Sequence, residues 1–265
     1  MAISLSDLNR IASPKAPRII IYGPHGVGKN TFAGSAPNPV LINIEDGHPA
    51  GSAIDSFPVA KTFADVMEAM TALYSEDHNF ETLIVDSLDW LEPMIWAETV
   101  RRNNAANPNK AWQSVEDAGY GRGYVATLDV WREYLDGINA LRNDKGMAVI
   151  QTAHAEVKRF DSPETEPFDR YQIKLHKMAS ALVQEHADMV LFANFKTSVT
   201  KTDVGMKKIA RGVGGGTRAI YTEERPAFLA KNRHNLPPEL PLSWDALSAA
   251  VTASSMAASA MDEAS

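Results

Sequence analysis

The sequence predicts an α/β fold: a mostly parallel central sheet, helices on both faces, and an antiparallel extension at its C-terminal edge. Three observations predict it. Short runs of β-branched and other apolar residues recur between turn residues, and the first four are continuously apolar, as strands buried on both faces of a parallel sheet read. Stretches of helical period lie between those runs, which gives right-handed βαβ units. The last three runs follow one another with only loops between them, which points to antiparallel neighbours.

The strand candidates are RIIIYG at 18–23, PVLINIE at 39–45, TLIVDS at 82–87, MAVIQTAH at 147–154, DMVLFANF at 188–195, RAIYTE at 218–223 and AFLAKN at 227–232. Helical patterns cover 62–74, 88–102, 124–142 and 176–186, with a short closing helix at 243–251. Residues 1–15 are expected as an N-terminal arm, 16–251 as one domain, and 252–265 as a disordered Ala/Ser-rich tail. Two connections are long, 103–123 and 156–174. Both are expected to leave the C-terminal side of the sheet, where ligands bind in open α/β folds.

Composition narrows the function classes. The chain has 265 residues and no cysteine, so disulfide frameworks and thiolate metal sites are excluded. No run of apolar residues is long enough for a conventional membrane span, and the N-terminus lacks a signal-peptide core. A soluble, cytoplasmic protein without a membrane partner is the expectation. A net charge of -7 argues against a chain that coats DNA over its whole surface. A local basic run remains: Lys196, Lys201, Lys207, Lys208, Arg211 and Arg218 face one acid, Asp203. A charge run of this kind reads either as a solvated hairpin or as a binding groove.

The strongest motif is Gly23-Pro24-His25-Gly26-Val27-Gly28-Lys29-Asn30, directly after the first strand and before a helix candidate that starts at Thr31. In a GxxxxGK[ST] loop the backbone N–H groups surround a polyphosphate, the Lys reaches the outer phosphates, and the hydroxyl ligates Mg²⁺. Here Asn30 stands at the hydroxyl position and Thr31 comes one residue late. An amide oxygen can ligate Mg²⁺, but it is longer and differently aimed than a hydroxyl.

Four further positions accompany the loop. Asp86 ends an apolar strand, as a carboxylate must to reach Mg²⁺ through water; it could equally cap the following helix. Glu45, with Asp46 as fallback, suits a general base for water if its strand lies beside the loop strand. An exposed Asp-Gly turn is the alternative there. His154 ends another central strand, with Gln151 and Thr152 just inside; a polar residue there can read the outer phosphate, or His154 is simply a histidine satisfied at a loop start. Lys231-Asn232-Arg233 follows the last strand, as phosphate-directed cations or as a solvated strand end. No pair of the seven histidines has zinc-ligand spacing.

The order of these elements over residues 16–250 resembles the RecA-like P-loop NTPase core. More closely, it resembles phage-encoded, core-only members grouped with the AAA family, some of which act in single-strand annealing and recombination. The closing AKNRHNLPPELPLSWDAL resembles the ending of that group, and Lys231-Asn232-Arg233 resembles an element of the RadA branch. The resemblance implies ATP and Mg²⁺ as cofactors, with Lys29 on the phosphates, Asp86 in the Mg²⁺ water shell and Glu45 on the attacking water. His154 or Gln151 is then the outer-phosphate sensor. Lys231 and Arg233 reach the site of an adjacent protomer in a ring or filament.

The resemblance also implies that the two long connections face single-stranded DNA. They carry Lys110, Trp112, Tyr120, Arg122, Lys158, Arg159, Phe160, Arg170 and Tyr171, a mixture able to grip a backbone and stack bases. Glu164, Glu166 and Asp169 dilute the second of them. The resemblance further implies a single-strand-binding protein as an additional partner and the host-cell cytoplasm as the location. Two departures stand out: no separate DNA-binding domain is expected at either end, and Asn30 is expected to slow hydrolysis. A nucleotide-dependent scaffold or regulatory module without DNA binding, and a small-molecule P-loop kinase, fit the same loop.

Overall fold

The computed structural model describes residues 4, 15–45, 47, 53–162, 164–204 and 207–263; for 197–204, 207–215 and 258–263 it describes the backbone alone. Most of the N-terminal arm and Asp46 therefore lie outside the described residues, as do the side chains of Lys201, Lys207, Lys208 and Arg211.

The strands are β1 Arg18–Gly23, β2 Pro39–Asn43, β3 Asp55–Ser56, β4 Thr82–Asp86, β5 Ala148–Phe160, β6 Phe168–Ile173, β7 Met189–Val204, β8 Lys207–Tyr221, β9 Lys231–Asn232 and β10 Glu239–Pro241. The helices are α1 Lys29–Gly34, α2 Phe63–Ser75, α3 Leu88–Ala106, α4 Arg122–Asp144, α5 Lys177–His186 and α6 Trp244–Glu263. Sheet order is β10-β8-β7-β1-β5-β4-β2-β3. From β7 through β3 every neighbour is parallel, whereas β8, β9 and β10 add antiparallel pairs on the far side. The expected fold class is the one observed. One detail differs: β7, grouped with the antiparallel extension in the sequence reading, runs parallel to β1 and belongs to the central sheet.

Alternation along β1 explains why its sequence is continuously apolar. Ile20 and Tyr22 enter the core beneath α2, α3, α4 and α5; Ile19 and Ile21 enter the opposite core with Phe32 of α1 and Leu247 of α6. A strand covered on both faces has no solvent side on which to place a polar residue. The helices between strands are held by local chemistry as well as burial. At the start of α2, Thr62 accepts from the Asp65 N–H while Asp65 accepts from the Thr62 N–H, a reciprocal cap.

Several boundaries depart from expectation: β8 begins at Lys207 instead of 218, and the run at 227–232 forms only the two-residue β9. β5 does not stop at His154 but continues to Phe160 and pairs with β6, so the second long connection is largely a hairpin. The first long connection contains two short 3₁₀ turns, 108–110 and 115–118, and the last turn of α3. The terminal helix runs to Glu263, through most of the segment expected as a disordered tail.

Candidate nucleotide site

The parallel register sets the site at the C-terminal ends of the central strands. Gly23 of β1 lies level with His154 of β5, and Asn43 of β2 is level with Asp86 of β4. The loop 24–28 rises from β1 and turns into α1. Gly23 must be glycine because a Cβ there would stand 2.2 Å from the Ala193 carbonyl oxygen of β7. Gly28 sits at φ 107, a left-handed conformation that only glycine adopts without strain. Val27 is fully buried and anchors the loop to the core.

A cavity of about 350 Å³ opens here, lined by His25, Gly26, Gly28, Lys29, Asn30, Thr31, Glu45, Gly47, Asp86, His154 and Arg218. Lys29 is buried, and its ammonium donates to the Gly23 and Pro24 carbonyls, each at 3.1 Å. Burial pulls its pKa below the ordinary lysine value, while Asp86, Asp89 and Glu45 oppose that fall. Asp86 receives the Asn30 side-chain N–H at 2.6 Å on one oxygen and the Thr152 hydroxyl on the other. Both oxygens are thus fixed in direction by neighbours on α1 and β5.

Glu45 reaches the cavity by a different route from the one expected. Its strand β2 pairs with β4 and β3, not with the loop strand β1. After β2 ends, the Ile44 and Glu45 N–H groups both donate to the Asp86 carbonyl, at 2.8 and 3.1 Å, and this hook turns Glu45 inward. Its carboxylate accepts from the Ser87 hydroxyl at 3.4 Å and lies 4.0 Å from His154 Nδ1.

His154 is oriented by Asp89, a residue the sequence reading missed. Asp89, in the first turn of α3, accepts from the His154 backbone N–H at 3.0 Å and pairs with its Nδ1 at 2.9 Å. Burial works against the Asp89 carboxylate, yet these hydrogen bonds hold its pKa below the ordinary value. His25 of the loop stacks on His154 with ring centroids 4.0 Å apart. The available signal for Asp89 was an acid one helical turn after the strand-ending Asp86.

Gln151 is not in the site. Side chains alternate along β5, so Thr152 and His154 share the cavity face while Gln151 points the other way, where its oxygen accepts from the buried Tyr134 hydroxyl at 2.9 Å. Lys231 and Arg233 lie at the opposite end of the sheet from this cavity. β9 pairs with the first residues of β7, level with the beginning of β1. There Lys231 donates to the Gln184, Glu185 and Ala187 carbonyls at 2.7, 3.1 and 2.7 Å, covering the C-terminus of α5. An ammonium has three donors, so Lys231 has none left for a phosphate while these bonds persist. Arg233 bonds Asp188 at 3.4 Å and the Glu185 carbonyl at 3.3 Å, and its side chain stays half-exposed.

The expected DNA-contacting cations separate into three environments. Lys110 and Arg122 are exposed and, with Trp112, line a surface cleft. Lys158 and Arg159 are exposed on β5 but pair with Glu156 at 2.7 Å and Asp161 at 3.2 Å. Arg170 is buried, bonded to Glu224 at 2.8 Å and stacked over the Phe160 ring, so it serves the fold and not a free strand. Of the basic run, Lys196 pairs with Glu239, and Arg218 turns into the cavity.

A family model described as an AAA domain matches residues 15–234. The chain belongs to the AAA-domain family. That span takes in the glycine loop, Glu45, Asp86, Asp89, His154 and Arg218. No curated protein matches. Among solved structures the chain is similar to the crystal structure of the RadB recombinase, at 14% identity and TM-score 0.47, covering 88% of this chain and 90% of that one.

The donor set of this AAA domain fits a divalent cation–polyphosphate. Lys29 and Arg218 supply positive charge on the loop side; Asp86 and Glu45 supply carboxylate oxygens across the same cavity. Among the described residues no helix is long and apolar enough to cross a membrane.

Proposed function

We propose that this AAA domain is a RecA-like P-loop ATPase that binds Mg²⁺ and ATP in the cavity beside Lys29. The observation that carries the reading is the Asn30–Asp86–Thr152 chain. It ties the residue after the loop lysine to the strand-end carboxylate at 2.6 Å and so sets a metal-directed carboxylate against a phosphate loop. In the bound state Lys29 exchanges its carbonyl contacts for phosphate oxygens, and the loop N–H groups surround them. Asp86, held on one oxygen by Asn30 and on the other by Thr152, would hold Mg²⁺ through water. Mg²⁺, when bound, supplies charge compensation on the phosphate oxygens. Glu45, partly exposed within the cavity, takes the proton of an attacking water. His154, oriented by Asp89 and lining the cavity, would serve as the outer-phosphate sensor.

Asn30 makes turnover slow in this reading, because its N–H is committed to Asp86 and its oxygen replaces a hydroxyl. The chain works as an oligomer, ring or filament, on single-stranded DNA. The biological setting is phage recombination of the single-strand annealing type, in the host cytoplasm, alongside a single-strand-binding protein. The Lys110–Trp112–Arg122 cleft supports the DNA part, since it combines cations with an aromatic face. Arg233, half-exposed at the far end of the sheet, remains the cation able to serve a neighbouring protomer.

A second reading, a nucleotide-switched scaffold without DNA, is favoured by one observation: Arg170 is buried, and Lys158 and Arg159 are paired with acids of their own segment. Fluorescence anisotropy with labelled single-stranded DNA, with and without ATP over a salt series, separates the two. ATP-stimulated binding with a steep salt slope supports the DNA reading. Absence of binding at low salt removes it and leaves the scaffold.

A further inference from the structure

Arg218 belongs to a segment whose composition reads as a solvated basic hairpin, yet its side chain lies in the nucleotide cavity. It lines that cavity together with Lys29, Glu45 and Asp86. Its Nη1 stands 2.8 Å from where a Cβ on Gly28 would be, so the guanidinium lies directly over the loop glycine that precedes Lys29. Its described partner is the Phe195 ring, 5.7 Å from the guanidinium carbon, and among the described residues no carboxylate pairs with it. An uncommitted guanidinium over a phosphate loop has the fork of donors that matches phosphate oxygens.

Its mounting is equally specific. Arg218 pairs with Phe195 in the β7–β8 hairpin, immediately beside the register shift between Phe195 and Thr197. The Leu242 N–H donates to the Arg218 carbonyl at 3.3 Å, which ties the same residue to the segment leading into α6. A second cleft, of about 180 Å³, shares Gly28, Thr31 and Arg218 with the first and is otherwise lined in part by Leu242 and Trp244. Arg218 therefore stands on the border between the two clefts, at the root of the long hairpin.

We propose that Arg218 is a phosphate ligand of the nucleotide site supplied in cis, by the same chain whose loop it covers. This rests on the nucleotide reading above and adds to it a cation that needs no neighbouring protomer.

The test is calorimetric titration of Mg·ATP into the wild-type chain, Arg218→Ala, Arg218→Lys and Lys29→Ala, each checked for folding by its melting curve. Loss of one charge-assisted phosphate contact is expected to raise Kd for Arg218→Ala on the order of tenfold to a hundredfold, with Arg218→Lys between it and wild type. Unchanged Kd in Arg218→Ala, with binding lost in Lys29→Ala, overturns the inference and leaves the nucleotide reading standing. No binding by the wild type overturns both. An equimolar mixture of Lys29→Ala and Arg218→Ala chains distinguishes cis from trans. A cis ligand leaves the mixture as weak in Mg·ATP binding as its two components, whereas restored high-affinity binding shows that Arg218 acts across an interface.

Discussion

Asn30 donates its side-chain amide to Asp86 at 2.6 Å, and in the proposed nucleotide site that bond limits what the loop can offer a metal. With its N–H turned to the carboxylate, the side chain preserves a link between α1 and β4, but it offers the metal an amide oxygen where a hydroxyl is the usual ligand. Asn30→Thr should therefore raise steady-state phosphate release at saturating Mg·ATP by roughly tenfold, about 1.4 kcal/mol of barrier. An unchanged rate would show that another step limits turnover.

Glu92 is expected to give the fold a pH dependence. Both of its oxygens accept from the His176 N–H at 3.0 Å, at the entrance to α5. Burial pushes its pKa from 4.5 up to about 7, with the His176 N–H and Lys158 pulling the other way. A carboxyl whose folded pKa is raised contributes stability that is full below its unfolded value of 4.5 and lost as pH rises through about 7. Glu92→Gln keeps an acceptor and removes the titration. Comparing urea unfolding at acid and at mildly alkaline pH, we expect the variant to lose up to ~3 kcal/mol of the wild-type difference. An identical pH dependence in the two proteins would contradict the role given to Glu92.

Lys231 distinguishes a structural role from a phosphate-directed one. Its ammonium covers three carbonyls at the end of α5. Lys231→Met should cost about 1–3 kcal/mol in denaturant unfolding, because those acceptors lose a charged donor. Full stability combined with loss of ATP turnover only at concentrations where the chain assembles would instead place Lys231 at a neighbour's phosphates.

The candidate DNA cations should divide by environment. Lys110→Ala and Arg122→Ala are each expected to reduce the salt slope of single-stranded DNA binding by about 1. Arg170→Ala should leave that slope alone and lower the melting temperature, since its guanidinium is buried against Phe160 and Glu224. Equal slopes in all three variants would place the strand elsewhere.

Much of this architecture is legible in the sequence because both-face burial writes itself as continuous apolar runs. β1 begins and ends where RIIIYG does, and β4 ends on the Asp86 expected. The loop and its lysine are legible for a related reason: the glycines answer to steric demands at Gly23 and Gly28. What stayed hidden depends on pairing across long separations. The outer half of β5 carries Glu156, Lys158 and Arg159 and reads as a loop until its partner β6 is known. Arg218 is delivered to the cavity by the return of β8 along β7, a register no local pattern encodes. Gln151 is a different case: two-residue alternation already separates it from Thr152 and His154, and the face they share could have been read from Asp86 as well.

The most direct test of the central claim is calorimetric binding of Mg·ATP to the wild-type chain and to Lys29→Ala. We expect saturable binding in the micromolar range, ~8 kcal/mol, lost on substitution while the melting curve stays that of a folded protein. Absence of binding by the wild type, or affinity unchanged in Lys29→Ala, would contradict a nucleotide site built on this loop.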